Sequence, residues 1–167
     1  MKNKSIIFGK IIFAVLITSL LCISIANAHE PRDGVAGGVY NVSVGHRVEP
    51  GFAGEPNAFD LFVRNAEDNS NADVGEIELD VYVMRLRKDD FDAKVTKIRK
   101  LTGDLRRDFS TPNRFNIYYL PKRPGAVGFI IKGTIDGNYI YEKFVCGGGS
   151  QNESGRSFGC IDKIQRF

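Results

Sequence analysis

The stretch that decides the fold runs from Val39 to Val63, VYNVSVGHRVEPGFAGEPNAFDLFV. Tyr40, Val42, Val44, His46 and Val48 fall on every second position, with Asn41, Ser43, Gly45, Arg47 and Glu49 between them. Successive side chains of an extended chain point to opposite faces, so this period marks a half-buried strand. Phe59, Leu61 and Val63 repeat the pattern with Asp60 and Arg64 opposite, and Phe62 breaks it, which predicts a partly covered outer face. Between the two strands lies Glu49-Pro-Gly-Phe-Ala-Gly-Glu-Pro-Asn57. Proline lacks the amide that a ladder needs and pushes the preceding residue out of the helical region. Both strands should therefore stop near the Glu-Pro pairs, leaving an ordered turn.

Downstream, Asn65 to Gly75 is polar and acidic with no apolar period, which reads as a loop. Ile77, Leu79, Val81 and Val83 alternate with Glu78, Asp80, Tyr82 and Met84, giving a further strand. Val95 to Leu101 has apolar residues three apart, a pattern open to a weak helix or an irregular edge strand. After the Thr111-Pro112-Asn113 turn, Phe115, Ile117 and Tyr119 share a strand face. Val127, Phe129 and Ile131 lead to Asp136-Gly137, and Tyr139 to Val145 runs back. Asp-Gly tolerates the positive φ of a type I′ turn, so this is a hairpin in which Phe129 faces Phe144 and Lys132 faces Tyr141. Six or seven short strands with turns between them predict an all-β, antiparallel, immunoglobulin-like sandwich. No tryptophan and no cysteine pair placed to bridge two sheets are present, which excludes an antibody-type domain.

Working back to the start, Met1–Ala28 reads as a signal peptide. Lys2, Lys4 and Lys10 precede an apolar run from Ile11 to Ile25, and Ala26-Asn27-Ala28 is an A-x-A cleavage site. About fifteen apolar residues span roughly 22 Å as a helix, short of a hydrocarbon core of about 30 Å. Leu21 before Cys22 is too large for a lipobox, so no stable membrane anchor is expected after cleavage. Without the three leader lysines, His29–Phe167 carries 20 Lys+Arg against 20 Asp+Glu. A formal charge of zero gives no reason to expect a nucleic-acid partner. The predicted organisation is a signal peptide (1–28), one sandwich domain (29–146) and a C-terminal tail (147–167), located in the periplasm or outside the cell. The first mature residues, as far as Val35, read as a flexible lead-in.

Two mature cysteines, Cys146 and Cys160, enclose the polar, glycine-rich GGGSQNESGRSFG. In an oxidising compartment an even pair reads as a disulfide, and the spacing is not that of a CxxC redox motif. The predicted bridge staples the tail to the domain.

Evidence for catalysis is thin. Gly155-Arg-Ser-Phe-Gly159 matches G-x-S-x-G, but only eight residues follow it, without a histidine or room for the required helix. Phosphate-loop, HExxH and zinc-type Cys/His patterns are absent. Glu49, Glu55 and Asp60 are the carboxylates a small hydrolase would have to use. From Arg85 to Arg107 nine basic residues stand against four acidic ones, an anion-binding face or, more commonly, a solvated strand edge protected by lysines. Asn41-Val-Ser43 and Asn152-Glu-Ser154 are glycosylation sequons, relevant only in a host that uses them.

Cleavage after Ala28 would make His29 the new terminus, offering an α-amine and a ring nitrogen together. Cu(II) favours nitrogen donors in tetragonal geometry. Pro31 supplies no amide proton and so argues against a site built from consecutive deprotonated amides. The candidate metal set is therefore His29 completed by His46 or Glu49. In pattern, the His-Glu start, Gly38-Val-Tyr40, Val44-Gly45, Glu49-Pro50, Gly54-Glu-Pro-Asn57 and Pro121-x-x-Pro-Gly125 resemble small secreted bacterial immunoglobulin-like proteins. That group is similar to YtkA-like domains and, distantly, to periplasmic copper-resistance sandwiches whose mature chain begins with histidine. For copper, the resemblance implies only a role for His29, since Met84 is the single mature methionine. The expected function is an exported, noncatalytic module that binds an extracytoplasmic protein or a metal ion, copper through His29 being the sharpest case. The alternative is an assembly subunit that pairs through a sheet edge.

Overall fold

The computed structural model describes residues 29–147 and 156–164. The signal peptide expected at 1–28 and the Asn152 sequon fall outside the described residues. Among the described residues eleven strands follow in order: β1 (His29–Gly34), β2 (Tyr40–His46), β3 (Gly51–Phe52), β4 (Asn57–Asn65), β5 (Ile77–Leu86), β6 (Val95–Lys100), β7 (Arg106–Arg107), β8 (Arg114–Tyr119), β9 (Val127–Ile135), β10 (Asn138–Val145) and β11 (Ile161–Asp162). They form a five-stranded sheet ordered β1-β2-β4-β8-β7 and a four-stranded sheet ordered β10-β9-β5-β6. Every pairing within these sheets is antiparallel. The short β11 pairs with β3 in parallel.

The period-two residues meet between the sheets, as an antiparallel sandwich requires. Val42 and Val44, Phe59, Leu61 and Val63, and Phe115 and Ile117 come from the five-stranded sheet. Opposite them stand Val81, Phe129, Ile131, Ile140 and Phe144. Complete burial of a side chain of this size contributes about 1.5–3 kcal/mol. Phe59 and Phe129 meet edge to face with ring centroids 5.1 Å apart. Polar ties also link the sheets. The Tyr40 hydroxyl donates to Asp136 Oδ2 at 2.6 Å, and the Val145 amide donates to the buried carboxylate of Glu30 at 2.8 Å.

The Asp136-Gly137 turn has φ of 47° and 77° at its two centres, and the register places Phe129 opposite Phe144 and Lys132 opposite Tyr141. This is the predicted hairpin. The chain before Val35 differs from the flexible lead-in expected from sequence, because it forms the edge strand β1 on β2. An edge strand tolerates Pro31, whose missing amide can face away from the ladder. The ambiguous Val95 segment is also an edge strand, β6, exposed at all six residues. With little to bury, it shows no period-two signal. The Cys146–Cys160 bridge is present, with Cα atoms 5.0 Å apart. The tail also contributes Phe158 and Ile161 to the core.

Candidate functional site

Residues alternate across the five-stranded sheet, so its two faces hold two separate polar groups. On the outer face His29 pairs with Gly45, and Gly45 pairs with Asp60. Glycine presents no side chain there, so the His29 ring crosses β2 to reach β4. Its Nε2 lies 3.0 Å from Asp60 Oδ2. Arg114, one strand further on, donates to the same carboxylate through Nε at 2.8 Å and one terminal nitrogen at 2.6 Å. Phe62 completes the group. The His29 ring meets it edge-on at 5.2 Å, and the Arg114 guanidinium lies 5.0 Å over its face. Asp60 is fully buried, whereas the His29 and Arg114 side chains keep about a fifth of their exposure. Burial alone would raise the Asp60 carboxyl, but hydrogen bonds from His29 and Arg114 outweigh it and hold the group below the ordinary range. An ionised carboxylate only accepts, so the proton of a neutral His29 sits on Nε2 and the Nδ1 lone pair is left available.

On the inner face, His46 pairs with Phe59 and is 1 % exposed. Its ring packs edge-on against Phe129 and Phe158 at 5.4 and 5.2 Å. His46 Nδ1 and the Tyr119 hydroxyl share a hydrogen bond of 2.9 Å. Burial, helped by the charge of His29 and opposed by the Gly159 backbone, pushes His46 down to about 4, so it is neutral at physiological pH. Glu49 accepts the Gly159 amide at 3.0 Å. Burial raises the Glu49 carboxyl despite that amide. Burial and the Glu49 charge together raise the Tyr119 hydroxyl. His46 Nε2 and Glu49 Oε1 are buried without a hydrogen-bond partner among the described residues. Asn57 fixes the loop over this chamber, exchanging hydrogen bonds with the Val48 amide and carbonyl at 3.1 and 2.9 Å.

Of the candidate residues in the sequence, His29 and Asp60 are brought together, although the sequence offers one as a metal ligand and the other as a hydrolase carboxylate. His46 and Glu49 sit in the other group, behind the sheet. Glu55 is exposed in the turn. Ser157 donates to the Val145 carbonyl at 2.8 Å and so serves as a tail clasp rather than sitting in a nucleophile elbow. Arg114, Tyr119 and Asn57 carry no functional motif in the sequence. The one signal for Arg114 is Phe62, an aromatic on a face that otherwise reads as solvated. Among the described residues, no three His, Cys, Asp or Glu side chains gather into a metal-holding group. No helix among them is long and apolar enough to cross a membrane. The chain matches no protein-family model, and comparison with characterised proteins finds no significant match.

Proposed function

We propose that the mature chain is an exported, noncatalytic binding module that takes Cu(II) at its amino terminus. The observation that carries this reading is the His29–Asp60 hydrogen bond, braced by Arg114. Histidines that bind metals generally donate their other ring N–H to a carboxylate, which fixes both tautomer and orientation. Here Asp60 fixes Nε2 as the donor. After cleavage at Ala28, Nδ1 and the new α-amine would chelate the ion as two nitrogens of one residue, and its remaining positions would be open to water or to a partner's ligand. The Cys146–Cys160 disulfide fits an oxidising compartment, in which Cu(II) persists.

The test is a calorimetric Cu(II) titration of disulfide-bonded protein beginning at His29, beside a chain with one extra residue ahead of it. One-to-one binding that disappears in the extended chain is expected, and equal affinity in the two would remove the proposal. Asp60→Asn should weaken binding by about 10–100-fold, the usual cost of losing such an orienting partner.

A further inference from the structure

The exposed edge strand β6 and the chain leaving β8 come together along one side of the sandwich. A cleft of about 320 Å³ lies there, walled by β5, β6 and the connection from β8 to β9. Five of its lining residues, Arg85, Lys97, Arg99, Lys122 and Arg123, are cationic and none is acidic. In a mature chain whose charges balance, this is a strong local segregation. No Asp or Glu among the described residues forms an ion pair with any of the five cations.

Arg85 shows that the arrangement is more than a run of solvated lysines. It is half-buried, with one terminal nitrogen donating to the Pro124 carbonyl at 2.9 Å and the other 3.5 Å from the Arg123 carbonyl. These contacts fix the guanidinium in place but do not neutralise it. Lys97 and Arg99 lie opposite Arg85 and Val83 in the β5–β6 register, so they project toward the same side. Lys122 and Arg123 approach from the connection after β8. The floor between the two sources of charge is apolar, made by Val83, Leu120, Pro121 and Val127.

We propose that this cleft binds a small amphiphilic anion: a phosphate or carboxylate head held by the cations, with a short apolar body on the Val83–Leu120–Val127 floor. Charge-assisted hydrogen bonds from arginine and lysine would hold the head, and burial of the body would add to the affinity. A cleft of this size takes one short chain, so the ligand is a soluble molecule rather than a bilayer surface. The site is separate from the His29 terminus, and its occupation does not depend on metal.

The experiment is a heteronuclear NMR titration of the mature, disulfide-bonded protein with hexyl phosphate, hexanol and inorganic phosphate at constant ionic strength. Hexyl phosphate should give saturable shifts at Val83, Leu120 and Val127. Hexanol should give none at the same concentration, and inorganic phosphate should bind about tenfold more weakly or less. Equal responses to hexanol and hexyl phosphate would overturn the proposal, as would equal affinities for hexyl and inorganic phosphate. Co-sedimentation with anionic phospholipid vesicles without any response to hexyl phosphate would also overturn it, in favour of a membrane surface. Lys97→Gln with Arg99→Gln, both on the exposed β6, should weaken hexyl phosphate about tenfold or more and leave Cu(II) binding at His29 unchanged. Unchanged hexyl phosphate affinity in that variant would count against the site.

Discussion

Asp60 concentrates the electrostatics of the outer face. It is a fully buried carboxylate held by two partners that stay partly in water. Removing one member of a buried ion pair costs about 3–5 kcal/mol when both are enclosed. Because Arg114 and His29 retain access to solvent, Asp60→Ala should cost less, about 2–3 kcal/mol by urea unfolding at neutral pH. The folded carboxyl titrates below its ordinary value. Its contribution is therefore complete above the unfolded pKa and disappears as pH falls through the folded one. The wild-type advantage over Asp60→Asn should vanish along that acid arm. His46 behaves differently. Its folded pKa of about 4 lies below the ordinary 6.5, so the fold favours the neutral ring. Stability should fall with acidification between those values by roughly 3 kcal/mol, then level off. The difference in unfolding free energy between wild type and His46→Gln, followed from pH 7.5 to 4, isolates this effect from Glu49, whose raised carboxyl acts with the opposite sign. Strand parity alone puts His46 among the valines of its face. It cannot supply Tyr119, which lies 73 positions away. The His29–Asp60 pair is hidden for a related reason: it depends on a register across two strand boundaries and on Gly45 lying between.

Among the elements, the β9–β10 hairpin is the most legible in the sequence, because its turn residues and its alternation agree. β1 and β6 are the least legible. Edge strands bury little or face solvent, and sequence periodicity records burial rather than pairing. β9 also holds a backbone constraint that composition does not reveal. Gly133 has φ of 150°, and a Cβ there would lie 1.9 Å from the Glu78 carbonyl oxygen of the paired β5. Gly133→Ala should therefore destabilise the protein by about 2–4 kcal/mol, read as a lowered urea midpoint at an unchanged slope. At Gly137 in the hairpin turn φ is also positive, at 77°, but a Cβ meets nothing within 4 Å. Asparagine accepts that conformation, so Gly137→Asn should cost less than about 1 kcal/mol in the same assay.

In the whole molecule, the disulfide and the core are not independent. On chain-entropy grounds, closing a loop of about fifteen residues stabilises by up to roughly 3 kcal/mol. The Cys146→Ala, Cys160→Ala double variant should lose about that much, with a further loss if Phe158 leaves its place against Phe129. Phe158 lies two residues from Cys160 and covers one side of the His46 ring. An imidazole sealed by an aromatic ring is a poor base, and the same imidazole in contact with water is an ordinary one. Breaking the Cys146–Cys160 bond should loosen the seal and, by easing the burial that holds the ring down, move His46 back toward its ordinary range. The covalent closure of the tail and the hydrogen-ion equilibrium of a ring inside the sandwich should then move together, and the His46 ring resonances, followed with pH in the oxidised and reduced protein, check it.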